Sequence, residues 1–243
     1  EDEQAMQNPI HSSVAGAALD IRRRLHGLLE GKQIMNLFIQ PSSRTHRSFE
    51  TAAKMLGAET VNEKDVNLSS MVKGETYGDT VRTFREYVDA FVIRTPWNYS
   101  AEEAILAQDG DRRIKPVINA GSGTRQHPTQ ALLDLTTIKE GLRLNKLSEL
   151  NGKTITIVGD LKYGRTVRSL IYTILIVAPQ ARFRLVSPEQ LKIPLRFREY
   201  LTEGGVDFEE STDLHQSLDR TDVVYVTRVQ KEGFEKNKQM DLY

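Results

Sequence analysis

With 243 residues, and 33 Lys plus Arg against 33 Asp plus Glu, the chain is long enough for one large or two modest domains and carries no net charge. That balance, with no RNP-type or zinc-finger pattern, argues against nucleic acid as a partner. The absence of cysteine excludes a disulfide framework, a Cys-ligated zinc and a thiol nucleophile; no apolar run reaches membrane-spanning length, the longest, 171–178, being broken by Thr173.

Residues 1–33 read as helical and polar, with Ala17, Ala18, Leu19, Ile21, Leu25, Leu28 and Leu29 as apolar positions. No signal peptide is visible in a sequence that opens on Glu1. Short apolar strands then alternate with amphipathic helices. Strands are expected at 34–39, 90–94, 117–120, 154–158, 183–186, 206–209 and 223–227, and helices at 45–57, 79–88, 129–140, 166–177, 195–203 and 211–218. This order predicts an α/β protein of two lobes, each a mostly parallel sheet flanked by helices. The polar stretch 141–152 is the expected hinge, dividing the chain into 1–140 and 141–243. No internal repeat or low-complexity tract is evident.

Such sheets bind ligands at the carboxyl ends of their strands, and six polar clusters fall at junctions or loops of that kind. Ser42-Ser43-Arg44-Thr45 follows the first strand and opens a helix, with Ser42 or Ser43 as N-cap. Backbone N–H groups, hydroxyls and a guanidinium fork at that point suit an anion such as phosphate; an ordinary capped helix with a surface Arg is the plain alternative. Ser69 to Glu75 is a loop carrying Lys73. Arg94 ends an apolar strand. Asn119-Ala120-Gly121-Ser122-Gly123 precedes His127-Pro128-Thr129-Gln130, where Pro128 can occupy the first helical position. Val158 to Thr166 contains Gly159, Asp160, Gly164 and Arg165 but lacks the glycine spacing of a dinucleotide fingerprint. Arg228 and Gln230 end the last strand on one side of it. Each cluster alone could be solvated surface. Together they predict strongly anionic ligands.

The ordered set resembles the aspartate carbamoyltransferase family over residues 34 to 230. The signature Ser-Thr-Arg-Thr-Arg appears as Ser42-Ser43-Arg44-Thr45-His46, and His-Pro-Thr-Gln is intact at His127 to Gln130. Val-Gly-Asp-Leu-Lys-Tyr-Gly-Arg-Thr-Val matches Val158 to Val167, and Thr-Arg-Val-Gln-Lys-Glu matches Thr227 to Glu232. The last stretch separates the aspartate enzymes from the ornithine ones.

The resemblance implies transfer of the carbamoyl group of carbamoyl phosphate to L-aspartate in pyrimidine biosynthesis. Ser42, Ser43, Arg44 and Thr45 would hold the phosphate and Arg94 would bridge toward the reacting centre. His127 would bond the carbamoyl oxygen and Gln130 the carbamoyl amide. Arg44, Thr45 and His127 would form an oxyanion hole. Arg165, Arg228 and Gln230 would take the carboxylates of aspartate, and Ser69 and Lys73 would come from a neighbouring subunit of a homotrimer. No cofactor, metal or membrane is implied. The location would be cytoplasmic, and a regulatory chain or fused pyrimidine-pathway domains would be compatible partners.

Thr95, Ser122 and Gly233 stand where the family usually has His, Asp and Arg. The family also continues past the point matched by Tyr243, through a His-Pro-Leu-Pro loop and a returning helix, so an incomplete copy is expected. The competing readings are a carbamoyltransferase for another amine and a non-catalytic homologue serving assembly or regulation.

Overall fold

The computed structural model describes residues 25–63, 74–110, 114–123 and 125–228. Most of the expected N-terminal helix lies outside them; from Leu25 to Lys32 the chain forms hydrogen-bonded turns, with Leu28 N–H on Leu25 O and Glu30 N–H on Gly27 O at 3.1 Å each. Two compact units follow, dividing between Gly123 and Thr124.

The first unit is built on β1 (Gln33–Phe38), β2 (Glu59–Glu63), β3 (Ala90–Thr95) and β4 (Val117–Ser122), with helices α1 (Ser43–Met55), α2 (Tyr77–Phe84) and α3 (Ser100–Leu106) between them. The strands pair in the order β2-β1-β3-β4, all parallel. Alternation along β1 and β3 supplies two cores. Met35, Leu37, Phe91 and Ile93 pack with Val81 and Ala104 on one face. Ile34, Phe38 and Val92 pack with Ala53 of α1 on the other. Burying both faces is what a parallel sheet requires.

The second unit opens with α4 (Pro128–Gly141), then alternates β5 (Thr154–Val158), α5 (Arg165–Val177), β6 (Arg182–Val186), α6 (Leu195–Glu203), β7 (Phe208–Ser211), α7 (Leu214–Ser217) and β8 (Val223–Val226). Its parallel sheet runs β7-β6-β5-β8. Ile155, Ile157, Phe183 and Leu185 form its core with Leu135 and Ile138 of α4 and Leu170, Ile171 and Ile174 of α5. Fully burying each such side chain contributes about 1.5–3 kcal/mol. The stretch 141–152, with a 3-10 turn at Leu147–Leu150, lies within this unit.

Sheet and helix order follow the sequence expectation, with local departures. The strand β2 and the helix α3 were not expected. Glu59–Glu63 is a half-exposed edge strand with one apolar residue, and Ser100–Leu106 is under two turns. The expected strand 206–209 is displaced to Phe208–Ser211. The expected helix 211–218 shortens to Leu214–Ser217, because Ser211 still pairs with Val186 and Asp213 caps the helix through Gln216 N–H.

The two sheets share one plan. Gly31-Lys32-Gln33-Ile34 enters β1 as Gly152-Lys153-Thr154-Ile155 enters β5, with both glycines at positive φ, 72° and 75°. Asp89, just before β3, accepts from Gln33 N–H at 2.9 Å and Lys32 Nζ at 3.4 Å. Asp222, just before β8, accepts from Thr154 N–H at 2.8 Å and Lys153 Nζ at 3.1 Å. In both, the backbone hydrogen bond is the main cause that holds the carboxyl below its ordinary range. Among the described residues no helix is long and apolar enough to cross a membrane.

Candidate active site

In each sheet the strand order reverses beside the first strand, between β1 and β3 and between β5 and β8. Reversals of this kind leave a crevice at the carboxyl ends of the strands, where open α/β sheets take ligands. The sequence-predicted residues that the structure describes gather at these two reversals and at the start of α4.

In the first unit, Ser42 is the N-cap of α1, with φ −162° and ψ 95°. Its hydroxyl makes no capping bond but reaches Thr45 Oγ1 at 3.0 Å. The first-turn amides of α1 are therefore not taken by the cap, which keeps their partial positive charge for an anion. A cleft of about 200 Å³ opens here, lined by Phe38, Pro41, Ser42, Ser43, His46 and Arg47. Arg44 is exposed in the same turn.

Arg94 pairs across with Phe38, and its backbone carbonyl accepts Gln40 N–H at 3.1 Å, which ties β3 to the segment leading into Ser42. Its side chain is 8% exposed and donates through Nη1 to Ala120 O at 3.0 Å. The register between β3 and β4 shifts at Arg94, where Ile93 faces Asn119 but Thr95 faces Ser122.

Three departures from the family pattern have structural roles. Thr95 is fully buried and closes a turn, its Oγ1 accepting Trp97 N–H and donating to Trp97 O at 3.1 Å each. Ser122 is buried against Ser100 Oγ and Asn119 Oδ1, both at 3.1 Å. His46 is buried, edge-on to Phe38 with ring centroids 4.9 Å apart and its Nδ1 3.7 Å from Glu50.

In the second unit, His127 caps α4 and Pro128 fills the first position of that helix. His127 is 7% exposed, and its backbone N–H donates to Ser169 Oγ on α5 at 2.8 Å. Gln130, one turn on, is half-buried and donates through Nε2 to Asp134 Oδ1 at 2.9 Å. The other Asp134 oxygen accepts from the Tyr225 hydroxyl on β8 at 3.0 Å.

Arg165 begins α5, and Arg228 follows β8. Burial lowers the Arg165 pKa, and the charge of Arg228 adds to the effect. Two guanidiniums that repel one another concentrate positive charge at this strand edge, which suits a dianion. Gly159 shapes this edge. Its φ is +120°, and a Cβ there would run into Thr227 O. Asp160, fully buried, accepts Tyr163 N–H at 2.9 Å and so folds the loop that delivers Arg165.

Ser69, Lys73 and Gln230 lie outside the described residues, as does Gly233. Sequence reading missed Asp134 and Tyr225. Asp134 carried a signal, since it lies four residues from Gln130 on one helix face. Tyr225 carried none, because its partner is ninety-one positions away.

Residues 6–140 match the family model for the carbamoyl-phosphate-binding domain of aspartate/ornithine carbamoyltransferases, and residues 151–243 match the model for the Asp/Orn-binding domain. The aspartate carbamoyltransferase catalytic subunit of Methanocella arvoryzae is 44% identical over 207 residues, 85% of this chain and 64% of that one. The multifunctional protein pyr1-3 of Dictyostelium discoideum is 45% identical over 208 residues, 86% of this chain and 9% of that protein. The chain thus spans about two-thirds or less of these relatives. Among solved structures, aspartate transcarbamoylase from Trypanosoma cruzi in complex with carbamoyl phosphate and aspartate is similar with TM-score 0.78 and 36% identity, covering 96% of this chain and 71% of that one. The catalytic subunit of Methanocaldococcus jannaschii aspartate transcarbamoylase gives TM-score 0.76 and 39% identity, covering 96% and 72%.

Proposed function

The chain belongs to the aspartate/ornithine carbamoyltransferase family, and from that premise we propose that it is an aspartate carbamoyltransferase. It transfers the carbamoyl group of carbamoyl phosphate to the amine of L-aspartate, giving N-carbamoyl-L-aspartate and phosphate for pyrimidine biosynthesis. The observation that carries aspartate over ornithine is the Arg165–Arg228 pair at the carboxyl ends of β5 and β8. Two carboxylates relieve the repulsion of that pair, whereas the cationic side chain of ornithine adds to it.

The amine attacks the carbonyl carbon, charge grows on the carbonyl oxygen, and the C–O bond to phosphate breaks. Ser42, Ser43, Arg44 and Thr45 hold the phosphate at the start of α1, where the amides not used by the cap add to the guanidinium. Arg94 reaches toward the reacting centre. His127 bonds the developing oxyanion together with Arg44 and Thr45, and Gln130 holds the carbamoyl amide. Arg165, Arg228 and Gln230 take the carboxylates, and no protein nucleophile takes part.

By role, residues 1–140 serve carbamoyl phosphate and 141–243 serve aspartate, a division supported by the extents of the two family matches. The same reading carries a homotrimer, in which Ser69 and Lys73 act on a neighbouring subunit's substrates, and a cytoplasmic location. The Dictyostelium relative, matched over a small share of its length, supports fused neighbours as one arrangement.

The test is carbamoyl transfer from carbamoyl phosphate with L-aspartate or L-ornithine offered separately to the protein carrying this chain. Product with aspartate alone supports the reading. Product with ornithine alone moves the assignment to another amine. No product with either moves it to the non-catalytic homologue.

A further inference from the structure

We infer that Asp134, bonded on its other oxygen by the Tyr225 hydroxyl, is a positioning residue that sets which end of the Gln130 amide meets the substrate. The inference rests on the carbamoyl-transfer reading, which gives Gln130 the carbamoyl amide, and adds residues which that reading does not contain.

The relay has a direction fixed by the chemistry of its members. As a carboxylate, Asp134 only accepts. Its Oδ1 takes Gln130 Nε2–H at 2.9 Å and its Oδ2 takes the Tyr225 hydroxyl at 3.0 Å. Burial and the adjacent Asp134 charge outweigh a lowering influence of the Thr166 side chain and push the phenol up to about 12, so Tyr225 keeps its proton and its single donor goes to Asp134. The three members sit on two elements. Gln130 and Asp134 lie one turn apart on α4, and Tyr225 is inside β8, three residues before Arg228.

With its NH2 turned to Asp134, Gln130 has its carbonyl Oε1 for the ligand. An acceptor there matches the NH2 of a carbamoyl group. It gains nothing from a methyl group in the same place, so Gln130 becomes a reader of carbamoyl against acetyl. A site built to hydrogen-bond a substrate group discriminates strongly against the analogue that lacks it.

Asp134→Asn tests the relay because Asn has one acceptor and one donor end. With Tyr225 still donating, its proton claims the oxygen of the introduced amide. The NH2 of that amide then faces Gln130 and turns its side chain around, setting donor against the carbamoyl NH2. Expected is a fall of about tenfold or more in kcat/KM with carbamoyl phosphate, with kcat/KM for acetyl phosphate held within about twofold. Adding Tyr225→Phe removes the claim on the oxygen, lets the introduced amide rotate, and should restore much of the preference for carbamoyl phosphate.

Equal losses with both acyl phosphates, or no loss with either, would overturn the inference, as would failure of Tyr225→Phe to restore the preference. The side-chain amide NMR signal of Gln130, identified by its loss in Gln130→Ala, reads orientation in the unaltered protein without turnover. Slowed proton exchange there is expected from the bond to Asp134. Fast, solvent-like exchange would sink the relay even if Asp134→Asn fails to fold. Slowed exchange in a protein that transfers no carbamoyl group would instead overturn the functional reading and leave the geometry standing.

Discussion

Glu50 gathers more positive charge than any one partner would suggest. Lys54 Nζ lies 2.9 Å from one oxygen and Arg47 Nη1 2.7 Å from the other. Hydrogen bonds from Lys54 and then Arg47 push its pKa down from the ordinary 4.5 to about 2. A carboxyl whose folded pKa is depressed stabilises the fold above its unfolded pKa and loses that contribution as pH falls through the folded one. Glu50→Gln should therefore lower Tm at pH 7, and the gap to the unaltered protein should close between about pH 4.5 and pH 2. A gap that stays constant through that window in thermal unfolding would show that the charge is not what matters. On the ligand side, Arg228→Ala removes an exposed guanidinium that the proposed function assigns to an aspartate carboxylate. It should raise the aspartate KM roughly 10- to 100-fold while leaving the carbamoyl phosphate KM nearly unchanged; steady-state kinetics that move both constants together would remove Arg228 from the aspartate role. At this scale the sequence was informative about charged and polar residues at strand ends and helix starts, and poor on those that hydrogen-bond behind them. His127, Arg165 and Arg228 stand in short motifs beside strand ends, where residue type alone signals chemistry. Asp134 and Tyr225 look like ordinary helix and strand residues, and Thr95 and Ser122 look like losses until their buried hydrogen bonds are seen.

Elements were legible where one periodicity dominates. Thr154–Val158 and Leu195–Glu203 fall where alternation and helical spacing put them. Glu59–Glu63 carries charge at both ends and becomes a strand only because Lys32 O and the β1 ladder are there to pair with it. That is tertiary context overriding local pattern. The junction after β5 was legible as a turn, but its strictest requirement was not. Gly159 stands at φ +120° with Thr227 O against the place a Cβ would occupy, while Thr227 N–H donates to Val158 O at 2.8 Å. Gly159→Ala thus meets two penalties, a disfavoured backbone and a clash with the strand that carries Arg228. Backbone strain alone costs about 1–3 kcal/mol. The variant should show a clearly lower denaturation midpoint, and a properly folded fraction with weakened aspartate binding. An unchanged midpoint in urea would mean that β8 moves aside freely, and the close approach would lose its structural meaning.

At the scale of the whole molecule, two parallel sheets repeat one arrangement. An Asp clamp holds the strand entry, and the ligand-type residues gather at the reversal of strand order. The repetition escaped sequence reading because it resides in hydrogen bonds and register, with only a Gly-Lys-x-Ile echo in the letters. A plan that concentrates cations at strand ends leaves Ser69 and Lys73 to be explained, and the proposed trimer does so by giving them to a neighbour's substrates. The consequence is countable. A chain with Arg44→Ala cannot cradle phosphate in its own site but still offers Lys73 to its neighbour, and a chain with Lys73→Ala does the reverse. Each variant alone should be nearly inactive. In trimers reassembled from equal amounts, a site is intact when a chain with native Arg44 is followed by one with native Lys73. Cyclic symmetry and random mixing make that about one site in four. Recovery of about a quarter of the unaltered activity on mixing after reversible dissociation is the expected result. Because chains that complete their own sites gain nothing from mixing, a flat, near-zero rate across all mixing ratios would place Lys73 on the substrates of its own chain and remove the reason for a shared site.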